Sequence, residues 1–143
     1  MKNLYKTSVT TTGGRTTGHT TSEDGVLDLK QTMPKSMGGE GGDYTNPEQL
    51  FGAAYSACFG HALVQVAEKH KIDLGEYSVT ATVKLGKTDE DDLQLGVILD
   101  AYMPKVTDIK TGEKLVNEAH EVCPYSRATR DNITVTLNIL LDE

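Results

Sequence analysis

Asn46-Pro47-Glu48-Gln49-Leu50-Phe51-Gly52-Ala53-Ala54-Tyr55-Ser56-Ala57-Cys58-Phe59-Gly60-His61-Ala62-Leu63-Val64-Gln65-Val66-Ala67 is the stretch that decides how this chain folds. Asn46 suits a helix N-cap, Pro47 the first helical position, where no N–H is needed, and Glu48 the positive first turn. The pattern predicts a helix from there to about Lys71. Gln49 to Ala67 carries no formal charge and approaches the ~20 residues that cross a bilayer. Gln49, Ser56, His61 and Gln65 would be unpaired in lipid, so the reading is a buried core helix and no membrane span. Gly52, Ser56 and Gly60 recur every four residues, with Ala53 and Ala57 beside them, although glycine costs a helix about 0.5–1 kcal/mol. That face predicts a close backbone approach, by a second helix or by the same helix of another subunit.

Outward from this helix, three segments alternate apolar and polar residues with a strand's period of two: Ser78 to Leu85, Leu93 to Met103 and Ile133 to Leu141. The acidic turn Asp89-Glu90-Asp91-Asp92 joins the first two as an antiparallel hairpin, and the last is expected to extend the sheet. Leu4 to Thr12 and Val26 to Lys30, the latter after the turn dipeptide Asp24-Gly25, predict a second hairpin. A second helix is expected over about Thr107 to Val122, capped by Asp108, with Leu115, Val116, Ala119 and Val122 on one stripe, and ended by Pro124. Gly38-Gly39-Glu40-Gly41-Gly42-Asp43 lacks the Gly-Lys-Ser/Thr ending of a phosphate cradle and reads as a mobile loop. The sum is an antiparallel α+β domain, one domain over residues 1–143.

With 14 Lys plus Arg against 21 Asp plus Glu, the chain carries a net charge of −7 and has no basic run. Nucleic acid and anionic membranes are therefore excluded as expected partners. The N-terminal Met1-Lys2-Asn3-Leu4-Tyr5 has no apolar stretch after its lysine, which predicts no secretory signal and a cytoplasmic protein. In that reducing compartment a disulfide is more often transient and catalytic than structural.

The chain has two cysteines in opposite settings. Cys58 interrupts the uncharged helix, and Cys123 precedes Pro124, at a helix C-terminus whose carbonyls disfavour a thiolate. Neither is activated by its own helix, so a nucleophilic Cys58 needs a cation brought from elsewhere. Two other readings remain open from the residues alone. Cys58 with His61, and His120 with Cys123, each at i, i+3, offer a Cys2His2 zinc set. The cysteines could equally be fillers in a non-catalytic binder of small apolar ligands.

Gly38 through Phe51, Tyr55-Ser56-Ala57-Cys58-Phe59, and Ala119-His120-Glu121-Val122-Cys123-Pro124-Tyr125-Ser126 with Ala128-Thr129-Arg130 resemble the organic hydroperoxide resistance (Ohr) proteins. These belong to the superfamily named for osmotically inducible protein C (OsmC). Gly13-Gly14-Arg15 and Asp24-Gly25-Val26-Leu27-Asp28 resemble the same family's N-terminal pattern.

The resemblance implies an OsmC-like fold, antiparallel sheets packed around the long buried helix, in an intertwined homodimer. It implies a thiol peroxidase, without cofactor or metal, that reduces organic hydroperoxides to alcohols. Cys58 matches the peroxidatic cysteine, Cys123 the resolving cysteine, Arg15 the activating arginine and Glu48 the carboxylate that holds it. A guanidinium, always charged, can stabilise both a thiolate and a leaving alkoxide. Ten helical residues rise about 15 Å, so Glu48 should not touch Cys58 directly. The implied reductant is a dithiol on a lipoylated protein, and Phe51, Phe59, Tyr44 and Tyr125 are candidate apolar contacts for the peroxide's organic group. Arg127 and Asp131 depart from the family's small polar residue and glycine, next to the resolving cysteine.

Overall fold

The computed structural model describes residues 1–142, in two compact units, Met1–Leu50 and a second beginning at Phe51. The first unit holds three short antiparallel strands in the order β1 (Val9–Thr12), β2 (His19–Ser22), β3 (Asp28–Lys30). β1 and β3 fall inside the two N-terminal segments expected to form a hairpin, but each pairs with β2 rather than with the other. β2 between them has no apolar residue to give an alternating signal; Thr20, its one buried residue, accepts a hydrogen bond from Gln31 Nε2 and contacts Thr11 Oγ1 at 2.7 Å. The glycine-rich segment after a 3-10 turn at Lys35–Met37 is tied back on itself. Gly38, Gly39 and Gly41 N–H groups donate to the carbonyls of Lys35, Pro34 and Met33.

α1 runs Pro47–Lys69, and Gln49 N–H donates to Asn46 Oδ1 at 2.8 Å, the predicted cap. It is long and apolar enough to cross a membrane. Yet from Phe51 onward it is the core helix of the second unit: Tyr55, Phe59, Ala62, Leu63, Val66 and Ala67 are all buried.

The second unit's sheet has the order β4 (Ser78–Lys87), β5 (Leu93–Tyr102), β6 (Val135–Leu140). β4 and β5 form the expected antiparallel hairpin. β6 runs parallel to β5, because two helices lie between them in sequence and a chain that returns through a helical layer re-enters the sheet in the same direction. The sheet is therefore mixed rather than wholly antiparallel. Its register lines up apolar rows: Val83–Val97–Val135, Ala81–Leu99–Leu137 and Val79–Ala101–Ile139. Val97, Leu99 and Ala101, at the centre, are buried, which is the one-face burial that alternation predicts.

The small face of α1 meets this sheet, not a helix. A Cβ added at Gly52 would lie 3.3 Å from Val83 Cγ2, and one at Gly60 3.6 Å from the Tyr77 ring. α2 (Ile109–Val122) has Asp108 as N-cap, accepting from Thr111 N–H at 2.9 Å. Leu115, Val116 and Ala119 are buried as expected, while Val122 at the end of the stripe is exposed. Gly112 lets α2 settle onto β6, where a Cβ would come within 2.8 Å of Ile139 Cγ2.

Candidate active site

Phe51, Tyr55 and Cys58 fall at i, i+4 and i+7 of α1 and so share one face. Cys58 is half-buried there, and Cys123 is fully buried. Cys123 ends α2, its N–H donating to the Ala119 carbonyl. The expectation that Pro124 only stops a helix is incomplete. Pro124 is the first residue of a new short helix, α3 (Pro124–Thr129), for which Cys123 is the N-cap. The Cys123 Sγ lies 3.8 Å from Cys58 Sγ, both as free thiols. A disulfide needs about 2 Å, so the pair is one small movement from bonding.

The field around Cys58 opposes ionisation on balance. Burial raises its thiol above the ordinary 9.0; the Tyr125 backbone N–H, in the first turn of α3, pulls it down; and the Cys123 sulfur, which cannot share a second negative charge at this distance, raises it. Among the described residues of this unit no cation contributes to the field at Cys58, as its position in the middle of a helix foretold.

In the first unit, Arg15 stands in the β1–β2 connection just after Gly13 and Gly14, whose φ values of 74° and 60° fold the chain back through the left-handed region. Its guanidinium grips Glu48 with both ends: Nη1 donates to Oε2 at 2.9 Å and Nη2 to Oε1 at 2.7 Å. The pair raises Arg15 and lowers Glu48, whose burial works the other way but does not win. The predicted arginine and carboxylate are therefore brought together as a preorganised, bidentate pair.

Of the candidate apolar contacts, Phe51 packs edge-on against Tyr55 at 6.0 Å, and Tyr125 packs at a tilt of 45° against Tyr55 at 5.9 Å. Phe59 is fully buried in the core and presents no open surface, whereas Tyr44 is half-exposed with Lys30 Nζ 5.7 Å above its ring. The zinc set is not assembled: among the described residues no three His, Cys, Asp or Glu side chains group to hold a metal. His61 is exposed, and His120 Nδ1 is engaged with Ser126 Oγ at 2.8 Å. Arg127 is exposed in the last turn of α3. Asp131, where the resemblance leads one to expect glycine, takes φ 59° and keeps the left-handed backbone that glycine adopts freely.

Sequence reasoning passed over a group of buried polar side chains. Tyr55 Oη lies 3.0 Å from Ser126 Oγ and 3.1 Å from Thr129 Oγ1, and Arg130 Nη2 donates to the His120 carbonyl at 2.6 Å. The available signal was Tyr55 itself, a hydroxyl in a buried helix that had to find a partner.

A core helix that sets a half-buried thiol against a fully buried one at the joint of two further helices defines an α+β protein built on a paired-thiol centre. The chain belongs to the OsmC-like protein family, whose model matches residues 39–138. It is 45% identical over 137 residues to the organic hydroperoxide resistance protein OhrB of Bacillus subtilis (strain 168), covering 95% of this chain and 98% of that one. It is 45% identical over 139 residues to the organic hydroperoxide resistance protein of Xanthomonas axonopodis pv. citri (strain 306), covering 96% of each. The crystal structure of an organic hydroperoxide resistance protein from Elizabethkingia anophelis superposes with a TM-score of 0.92 at 47% identity, over 99% of this chain and 100% of that one.

Proposed function

We propose that this chain is a thiol-dependent peroxidase that reduces organic hydroperoxides to alcohols and so protects its cell from oxidative stress. The 3.8 Å approach of the Cys58 and Cys123 sulfurs carries the reading, and the names of its relatives support the substrate class. Cys58, the more accessible thiol, attacks as thiolate: Cys58–S⁻ + ROOH + H⁺ gives Cys58–SOH + ROH, two electrons passing from sulfur to the O–O bond. Cys123, buried and out of reach of a bulky peroxide, resolves: Cys58–SOH + HS–Cys123 gives the disulfide and water. A dithiol then restores both thiols by exchange, becoming a disulfide itself.

The roles of Arg15 and Glu48 rest on the family resemblance and on the bidentate geometry of their pair. Arg15 supplies the charge that Cys58 lacks in its own unit, and Glu48 fixes the guanidinium without neutralising it at the thiol. Phe51 and Tyr125, packed around Tyr55 near Cys58, favour an organic over a small polar peroxide. A lipoylated protein as reductant, a homodimer, one functional domain and a cytoplasmic location belong to the same reading.

The test is direct. Purified protein with a dithiol should consume cumene hydroperoxide, and Cys58→Ser should reduce consumption to background. Full activity in Cys58→Ser would reject the mechanism.

A further inference from the structure

The polar side chains buried beside the thiols can have their hydrogens counted. Ser126 is fully buried, Tyr55 1% exposed and Thr129 6%. Thr129 Oγ1 lies 3.0 Å from the Tyr125 carbonyl and 3.2 Å from the Ser126 carbonyl; carbonyls have no proton, so the single Thr129 hydroxyl proton is used there. Its 3.1 Å contact with Tyr55 is then a hydrogen bond only if Tyr55 donates. With that proton committed, Tyr55 must accept from Ser126 across 3.0 Å. Ser126, committed in turn, must accept from His120, which requires the proton on Nδ1. Burial holds His120 below its ordinary pKa, with Arg130 acting the same way and Glu121 opposing, so near neutral pH the ring has one proton to place.

One direction therefore satisfies every link: His120 Nδ1–H to Ser126, Ser126 to Tyr55, Tyr55 to Thr129, Thr129 to the α3 carbonyls. Reversing any link would leave two lone pairs or two protons face to face, and at the buried Ser126, Tyr55 and Thr129 hydroxyls an unmade hydrogen bond is expensive. The attachment points surround the thiols. His120 lies three residues before Cys123, Ser126 three after it, and Tyr55 three before Cys58 on α1.

We propose that His120, Ser126, Tyr55 and Thr129 form a directional positioning chain that holds the joint of α2 and α3 against α1, keeping the Cys123 sulfur poised to capture a Cys58 sulfenic acid. This rests on the paired-thiol reading above. The step it serves is Cys58–S–OH + H–S–Cys123 → Cys58–S–S–Cys123 + H₂O: the S–S bond forms, S–O and S–H break, and no outside oxidant enters. None of the four touches the reacting atoms through its side chain; they set how soon the second sulfur arrives. A loosened joint leaves the sulfenic acid waiting, and a second peroxide molecule carries it on to the sulfinic acid.

The experiment has two parts. Long-range ¹H–¹⁵N NMR of reduced wild-type protein near neutral pH is expected to find His120 as the Nδ1–H tautomer; an Nε2–H ring with bare Nδ1 would overturn the chain. The second part uses rapid quench and mass spectrometry after a pulse of cumene hydroperoxide. Ser126→Ala and Tyr55→Phe are expected to lower the ratio of disulfide closure to Cys58 oxidation by about tenfold or more, and to raise the sulfinic fraction. His120→Asn, whose amide nitrogen stands where Nδ1 stood, should retain more closure than His120→Gln. A wild-type closure ratio in Ser126→Ala and Tyr55→Phe would overturn the positioning role. Wild-type protein that forms no Cys58–Cys123 disulfide would instead reject the paired-thiol reading, and the positioning role with it, while the tautomer still reports on the chain. Should the variants misfold, the NMR result on unaltered protein decides.

Discussion

The Arg15–Glu48 pair and the Cys58–Cys123 pair solve the same problem by opposite means. Each brings together two side chains far apart in sequence. The first uses full charges on a glycine-bent connection and the start of a helix, with Arg15 36% exposed and Glu48 16%. The second uses neutral sulfurs on core helices, aligned by apolar packing and by uncharged hydrogen bonds. An ion pair partly open to water adds little to stability but keeps a formal charge on each partner. A packed thiol pair has its geometry guaranteed by the fold but disfavours the charge its chemistry needs. On the proposed mechanism the charge of one pair serves the chemistry of the other, so damage to each should read out differently.

The largest effect is expected from Arg15→Ala. Steady-state kinetics should find kcat/KM for cumene hydroperoxide lowered by about 10²-fold or more. The melting temperature should fall by only a few degrees, since a partly exposed pair contributes about 1 kcal/mol. Arg15→Lys should recover little, because an ammonium cannot grip Glu48 bidentately. A large loss of stability with modest loss of rate would break the contrast between the regions.

Gly112→Ala sharpens the other side. A methyl pressed against Ile139 overpacks the α2–β6 contact and should cost about 1–3 kcal/mol of stability, read as a lower denaturation midpoint, with Cys58 still reactive. The smallest effect concerns acid. Glu48 is held below its ordinary 4.5 by Arg15, so the pair's stabilisation is present above that value and is lost as pH falls through the depressed value. Melting curves of wild type and Glu48→Gln should differ slightly near neutral pH and converge as pH falls through the depressed value of Glu48. Divergence toward low pH would give the pair the wrong sign.

The same contrast explains what was legible in the sequence. β4, β5 and the segment of β6 could be read because one face of a half-buried sheet imposes alternation, and the starts of α1 and α2 because Asn46 and Asp108 satisfy local N–H groups. Alternation does not encode strand direction, so the parallel pairing of β6 was invisible until the helices before it were folded. β2, His19-Thr20-Thr21-Ser22, is held by hydroxyl and backbone bonds and carries no apolar signal. α3 is shorter than two helical turns and begins at the proline that had marked only an ending. The small face of α1 showed that something comes close, not that it is β4.

At the site, the two cysteines stood out because each is rare and differently placed, and Arg15 and Glu48 through motifs rather than spacing. Tyr55, Ser126 and His120 are ordinary residues whose importance is their mutual contact. Contact between residues 71 apart, as for Tyr55 and Ser126, is a property of the fold and not of any local pattern.

The most direct measurement is peptide mapping of reduced protein treated with one equivalent of cumene hydroperoxide. An intramolecular bridge between the peptides bearing Cys58 and Cys123, absent without peroxide and reversed by a dithiol, is the predicted result. Unchanged thiols, or oxidation confined to Cys123, would contradict the account.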